Sequence, residues 1–134
     1  MQNKMENKKF VQEWIKQSLY DLETAQAMFK TGRYIYCVFM CHLSLEKILK
    51  GLYLQKFNKI PPKIHSLLYF VQIQNLILSE KTNKFLEDLE EVSVPTRYQE
   101  GLDQLLKVYD KKKTQAILSK TKEAWECLKK EFEK

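Results

Sequence analysis

The sequence predicts an all-α protein, an antiparallel up-and-down bundle of four to five helices. Apolar residues recur at steps of three and four along most of the 134 residues, which is the spacing of one face of a helix. Only three glycines and three prolines occur, too few for a protein built from many strands and tight turns. At about 100–200 residues per domain, this length predicts a single domain over residues 1–134.

Composition narrows the cellular setting. An apolar fraction of 44% is enough for a buried core and argues against wholesale disorder. Three cysteines cannot form a closed set of disulfides, so we expect a reducing, cytoplasmic environment. The longest uncharged run of the central segment, Tyr34 to Leu45, is shorter than the roughly 20 residues that span a bilayer. Residues 1–7 lack an apolar stretch, so neither a membrane span nor a signal peptide is expected.

The first two predicted helices form the largest apolar surface. The first runs from Phe10 to Phe29 and stops at Gly32, and the second runs from Arg33 to about Phe57. The second is expected to be central, because apolar residues occupy more than one of its faces. The predicted inward residues of these helices are Val11, Ile15, Ser18, Leu22, Ala25, Phe29, Val38, Cys41, Leu45, Ile48 and Leu52.

Two shorter helices are predicted next. Ile60–Pro62 separates them from the second helix, because the residue before a proline avoids helical backbone. A third helix is expected over roughly Ile64–Leu78, and Ser79 is a candidate N-cap for a fourth that reaches about Val92. A break is predicted at Ser93–Thr96. The predicted inward residues here are Leu67, Leu68, Val71, Leu76, Phe85, Leu86 and Leu89.

The C-terminal part contains one clear helix. The stretch Leu102–Tyr109 is predicted either as a short helix or as a loop that packs on the bundle. Asp110 is a plausible N-cap for a last helix that begins at Lys111 and continues to the C-terminus. Its predicted inward residues are Ile117, Thr121, Ala124, Leu128 and Phe132.

The cysteine and histidine pattern does not favour a metal site. Cys37 and Cys41 share a helix face, but His42 directly follows Cys41 and points about 100° away from it. Only Cys127 and His65 remain, and neither completes a pair at ligand spacing. We therefore expect free core cysteines, with no metal and no cofactor.

Charged residues interrupt the most apolar helix. Glu46 and Lys50 are spaced for an ion pair with glutamate first, and Lys47 lies beside them. Two interpretations stay open: an exposed surface pair, or a polar seam that includes Glu46, Lys47 and His65. His65 follows the proline pair and is predicted to cap or brace a helix junction rather than to act in catalysis.

The arginine at position 97 is a candidate ligand contact. The net charge of +6 permits nucleic-acid binding, yet Arg33 and Arg97 are the only arginines among 23 basic residues. Arg97 lies next to Tyr98, and together they offer a fork for phosphate and a ring for stacking. The alternative is an arginine that ties a loop to backbone carbonyls or to a carboxylate of the bundle.

Several separated segments together resemble the HEPN domain family (higher eukaryotes and prokaryotes nucleotide-binding). They are Trp14 with Asp21-Leu22 and Ala25, the helix Phe39–Lys50 with its Glu-Lys-x-Leu-Lys-like end, the junction Pro62–Leu67 of the form Pro-x-x-His-x-Leu, and Thr96-Arg97-Tyr98. The resemblance covers about residues 10 to 130. It implies a helical bundle that forms a homodimer, often paired with a small nucleotidyltransferase in a bacterial or archaeal toxin–antitoxin set.

The resemblance also bears on activity. Many such domains are metal-independent ribonucleases that use an Arg-x(4–6)-His motif near the dimer interface. Here no histidine occurs in the corresponding window after Arg97, none follows His65, and Gln99 replaces the usual proline. Without that imidazole the usual general acid or base is missing, so no catalytic residue is assigned.

The resulting expectation is a binding module for a nucleotide, RNA or a partner nucleotidyltransferase. Arg97 would contact phosphate, Thr96 and Tyr98 would complete its loop, with the tyrosine ring stacking or bracing, and Lys50 would add charge. One alternative is a ribonuclease toxin with a degenerate site, in which Tyr98 or Asp103 replaces the histidine. Another is a purely structural, dimeric interaction module.

Overall fold

The chain folds as a bundle of helices around one central helix. The computed structural model describes residues 4–97 and 101–134, and its side chains over 6–91 and 101–134. Within these ranges there is no strand, which confirms the all-α class. The helices are α1 (Lys4–Lys30), α2 (Tyr34–Phe57), α3 (Leu67–Ile73), α4 (Glu80–Arg97), α5 (Leu102–Val108) and α6 (Lys111–Glu131). Four of them are long, and α3 and α5 have seven residues each.

Helix α2 is the central element, as predicted. It packs against α1 along most of its length and also contacts α3, α4, α5 and α6. Because it is surrounded, buried residues lie on every side of it, including the charged Glu46 and Lys50. Most predicted inward positions are buried, whereas Phe29, Leu68, Leu76, Ile117 and Phe132 are half-buried at the margin of the core.

The turn between α1 and α2 follows from a glycine. Gly32 has a φ of +77°, a conformation that costs glycine little, and the Arg33 amide donates to the Met28 carbonyl at 2.8 Å. This bond occupies a carbonyl left unpaired at the helix end. The chain therefore reverses sharply, and α1 and α2 form a long antiparallel pair.

Helix α3 is shorter than predicted at both ends. It begins at Leu67 instead of Ile64, because the Ser66 hydroxyl caps it by accepting from the Tyr69 amide at 3.1 Å. It ends at Ile73, and Asn75 takes a positive φ of 52° just beyond it. Residues 76–79 then lead to α4, whose predicted cap is present: the Ser79 hydroxyl accepts from the Thr82 amide at 3.1 Å.

Helix α4 corrects the predicted break at residues 93–96. Its backbone remains helical to Arg97 and passes through Pro95. Proline inside a helix removes one backbone donor and crowds the carbonyl four residues before it, but it also fixes φ near the helical value, so it disfavours a helix without always ending it. The predicted end at Val92 was therefore too early.

The C-terminal part resolves the alternative left open for residues 102–109. Residues Leu102–Val108 form the short helix α5, none of whose residues is buried, and the following Tyr109 is 2% exposed. Asp110 caps α6 as predicted, because its Oδ1 accepts from the Lys113 amide at 2.8 Å. The whole stretch therefore attaches to the bundle mainly through Tyr109.

A buried polar network joins three helices. The Ser44 hydroxyl of α2 donates to the Ser18 carbonyl of α1 at 2.7 Å, and the Trp125 indole N–H of α6 donates to the Ser18 hydroxyl at 3.0 Å. These bonds satisfy groups that would otherwise be desolvated without partners, so they fix how the helices face one another. None of the helices in the described ranges combines the length and apolar character that crossing a bilayer requires.

Candidate phosphate-binding site

A buried carboxylate lies where α2 meets the connection to α3. Glu46 is 3% exposed, and the His65 Nδ1 atom lies 3.1 and 3.2 Å from its two oxygens. The Lys50 Nζ atom donates to Glu46 Oε2 at 3.2 Å, and the His42 Nδ1 atom lies 3.8 Å from Oε1. We call these four residues, His42, Glu46, Lys50 and His65, the Glu46 cluster.

Helical spacing and the proline connection assemble this cluster. His42, Glu46 and Lys50 follow one another at four-residue intervals on a single face of α2. His65 comes from the connection beyond Pro61 and Pro62 and reaches the same carboxylate from the other side. One glutamate thus holds the start of α3 against the middle of α2.

A second carboxylate secures the same junction from α4. The Glu90 Oε1 atom accepts from the Leu67 amide and, at 3.4 Å, from the Leu68 amide. These are two of the amide groups that a helix start leaves unpaired. Helices α2, α3 and α4 therefore meet within a few residues of His65.

Of the four side chains in the Glu46 cluster, only that of His65 lies at the surface. Lys50 is 7% and His42 1% exposed, and Glu46 requires a cation nearby because an unpaired buried carboxylate is costly. The side chain of His65, by contrast, is 65% exposed. Its Nδ1 faces Glu46, so the rest of the imidazole ring is available to a ligand in solution.

The predicted charged residues of α2 face in two directions. Lys50 is buried and paired with Glu46, so the pair is part of a polar seam and not an exposed surface pair. Lys47 instead pairs with the buried Asp21 of α1, with 2.9 Å between Nζ and Oδ2. The structure therefore brings Glu46, Lys50 and His65 together and places Lys47 on another side of α2.

Thr96, Arg97 and Tyr98, which were predicted to form a phosphate-binding loop, lie where the first described range ends at residue 97. Tyr98 lies outside the described residues, and Thr96 and Arg97 belong to the last turn of α4, with side chains outside them too. Arg97 follows Glu90 by seven residues, which is about two turns and about 10 Å along the axis.

Two members of this junction escaped the sequence analysis. His42 precedes Glu46 by four residues, and the same spacing argument that paired Glu46 with Lys50 could have found it. Glu90 carries no such signal, because its partners are amides of α3 more than twenty residues away. Only the packed arrangement of α3 and α4 reveals its role.

Two of the three cysteines, Cys37 and Cys41, belong to the core as predicted, whereas Cys127 is exposed on α6. Cys37 and Cys41 are buried, and the hydrogen bond between them together with burial raises the pKa of the Cys37 thiol, which therefore stays neutral. Across the described part of the chain, no group of three or more histidine, cysteine, aspartate or glutamate side chains is placed to hold a metal ion.

Fold and junction together define a class of protein: a small helical bundle whose central helix carries a buried Glu-Lys pair braced by a histidine. The family model of the HEPN domain matches residues 11–131. The chain therefore belongs to the HEPN family.

Solved structures support the same fold. A crystal structure of TT1696 from Thermus thermophilus superimposes with a TM-score of 0.76 at 19% identity. The structure of ST0689, an archaeal HEPN homologue, gives a TM-score of 0.72 at 22% identity. Each similarity covers 90% of this chain and 96% of the other. A comparison with curated protein sequences found no match.

Proposed function

We propose that this HEPN domain binds a phosphate-bearing ligand, a nucleotide or RNA, through the surface of the Glu46 cluster and the last turn of α4. The observation that carries the proposal is the exposed His65, held by a buried carboxylate close to the helix that ends at Arg97. An imidazole N–H and a guanidinium can both donate hydrogen bonds to phosphate oxygens. Lys50 contributes indirectly, since its ammonium offsets the charge of Glu46.

The charge balance of the chain supports this proposal. The chain carries a net charge of +6, which attracts polyanions at long range. Its buried acidic groups are already paired: Glu46 with Lys50, and Asp21 with Lys47. The positive charge left over therefore lies mainly at the surface, where a phosphate can meet it.

The proposed activity is binding without the usual ribonuclease chemistry. General acid–base catalysis contributes about 10²–10⁴-fold per group, and the window after Arg97 contains no histidine to provide it. His42 is buried against Glu46, and His65 lies on the connection before α3 instead of following Arg97, so neither histidine takes the position of that group in the motif. We therefore expect little or no RNA cleavage by the purified protein in the presence of a chelator.

Arg97→Ala tests the binding site directly. Removing the guanidinium is expected to weaken binding of a single-stranded RNA or a nucleoside triphosphate by about tenfold or more, because a charge-assisted contact is lost. Fluorescence anisotropy at two salt concentrations measures this, and wild-type affinity should fall as salt rises. Arg33→Ala is the matched control, because Arg33 is the other arginine of the sequence and is exposed in the turn before α2.

Two other results would change the conclusion. Efficient RNA cleavage in chelator that Arg97→Ala abolishes would establish the degenerate ribonuclease toxin instead. Binding that responds neither to Arg97→Ala nor to salt would leave a structural interaction module.

The proposal includes a homodimer. Helix α5 exposes Leu102 and Leu106 one turn apart on the same face, an apolar surface that a second subunit could cover. Light scattering at tens of micromolar should give twice the 16.1 kDa chain mass, and Leu102→Lys with Leu106→Lys should shift the protein toward the monomer. A monomeric wild-type protein would contradict the dimer.

The proposed partner is a small nucleotidyltransferase in a toxin–antitoxin pair, acting in the cytoplasm, where the three free cysteines stay reduced. A gene for such an enzyme beside this one, and co-purification of the two proteins, would support the pairing. Co-expression that yields only the separate proteins would contradict it.

A further inference from the structure

We propose that a cleft at the C-terminal end of α2, where α1 faces the start of the α2–α3 connection, binds a guanine base. The cleft has a volume of about 390 Å³, within the roughly 300–1,000 Å³ typical of small-molecule sites. One wall is a single face of α1 and the other is formed by the end of α2 and the prolines beyond it. The lining residues are Phe10, Glu13, Trp14, Gln17, Leu54, Ile60 and Pro61.

The two walls suit a flat, largely apolar ligand. Phe10 and Ile60 are large apolar side chains that remain 46% and 71% exposed, and they line the same cleft. Phe10 and Trp14 give the α1 wall its aromatic character, on which a base can stack. A base inserted between the walls would remove apolar surface from water on both of its faces.

The polar edge of the cleft selects the base. The Gln17 side-chain amide donates one of its two N–H groups to Glu13 Oε1 at 3.1 Å. What the cleft offers a ligand is chiefly acceptors, the carboxylate oxygens of Glu13 and the amide oxygen of Gln17, beside the second N–H of Gln17, which can donate to guanine O6. Guanine presents two adjacent donors, N1–H and the N2 amino group, which match a carboxylate. Adenine places an acceptor, N1, beside its amino group, and uracil offers a single N–H.

Charge argues for a nucleotide over a cationic side chain. A guanidinium would also satisfy Glu13, but the whole chain carries +6. The exposed Lys59 and Lys63 flank Ile60 and Pro61 on the same connection. These lysines repel a cationic peptide and attract the phosphate that a guanine nucleotide carries.

The position of the cleft connects it with the proposed phosphate site. Pro61, in the cleft, and His65, in the Glu46 cluster, are four residues apart, so at most about 14 Å of chain separates them. A nucleotide or short RNA with its base in the cleft therefore keeps its phosphate near Lys63 and His65. This connection rests on the proposed function, whereas the guanine site itself rests on the cleft alone.

Tryptophan fluorescence and calorimetry with the full chain test the site. The probes are the 5′-monophosphates of guanosine, adenosine, cytidine and uridine, with guanosine, a G-containing and an A-containing RNA trinucleotide, and N-acetylarginine amide. We expect guanosine monophosphate to bind about tenfold more tightly than the adenosine form. Glu13→Gln should abolish this preference, because the amide has only one acceptor oxygen where the carboxylate has two, and guanine needs both for its N1–H and N2 amino groups. Glu23→Gln, at an exposed position of the same helix, should retain it.

These measurements distinguish RNA from free nucleotides as the ligand, and they distinguish the guanine cleft from the proposed phosphate site. Tighter binding of the G-containing trinucleotide than of the monophosphate assigns the site to RNA, and the reverse assigns it to free nucleotides. Equal binding of all four monophosphates, unchanged selectivity in Glu13→Gln, or tighter binding of N-acetylarginine amide overturns the guanine site. Selection of guanosine monophosphate through Glu13, without RNA binding that depends on Arg97, upholds the cleft and contradicts only the proposed function.

Discussion

At the scale of single residues, Glu46 does most to connect structure with the proposed function. Its carboxylate is buried, accepts from Lys50 and contacts His65, so the start of α3 and the surface imidazole both depend on it. Burying such a pair gives little stability compared with apolar packing, but removing one partner leaves the other charge without compensation. The cluster therefore acts as a specific lock on one arrangement of helices.

Glu46→Gln tests this lock. The substitution leaves the Lys50 ammonium buried without its counter-charge, and we expect a loss of about 3–5 kcal/mol in the free energy of unfolding. Urea unfolding followed by circular dichroism measures it. The double variant Glu46→Gln with Lys50→Met removes the orphaned charge and should recover a large part of the loss. If Glu46→Gln stays within about 0.5 kcal/mol of wild type, the pair does not act as a unit.

At the scale of helices, the close antiparallel packing of α1 and α2 depends on a glycine inside α2. A Cβ atom at Gly51 would lie 3.0 Å from the Cβ of Trp14 and 3.3 Å from the Phe132 ring. Glycine in a helix interior costs about 1 kcal/mol relative to alanine, so its presence here reflects the space it leaves. Trp14 of α1 and Phe132 beyond α6 can thus approach α2 at the same point.

Gly51→Ala should therefore destabilise the protein in spite of its better helix propensity. The Trp14 Cβ is attached to the α1 backbone and cannot rotate away, so overpacking of about 1–3 kcal/mol outweighs the propensity gain of about 1 kcal/mol. Chemical denaturation should show that wild type is the most stable, Gly51→Ala less stable and Gly51→Ser the least stable. A more stable alanine variant would show that the helices separate easily at this point.

At the scale of the whole molecule, local signals in the sequence account for the bundle but not for its polar contacts. The apolar stripes, Gly32, Ser79 and Asp110 act within one or two helical turns, so α1, α2 and α6 could be predicted as helices, and all predicted inward residues of α1 except Phe29 are buried. In α6 the buried Leu118 and Trp125 were missed, because the predicted stripe lies to one side of the face that meets the bundle. The continuation of α4 through Pro95 could not, because proline disfavours a helix without excluding it. The Glu46–Lys50 pair followed from spacing, whereas the contacts of Glu46 with His65 and of Glu90 with α3 depend on how separate elements pack.

A buried phenol, that of Tyr109, makes the stability of the whole fold sensitive to alkali. Tyr109 is 2% exposed where α5 joins α6, and burial raises the pKa of its phenol above the ordinary value of 10. Below pH 10 the phenol is protonated in both the folded and the unfolded chain, and its contribution to stability is fully present. Above pH 10 the unfolded chain releases the proton first, so stability falls as pH rises through the folded pKa, by at most about 1.4 kcal/mol per pH unit.

Urea unfolding between pH 8 and 11 should show a steeper alkaline loss for wild type than for Tyr109→Phe. Tyr20→Phe, at a side chain that is 70% exposed, should follow wild type. Parallel curves for wild type and Tyr109→Phe would mean that the phenol ionises without opening the junction of α5 and α6.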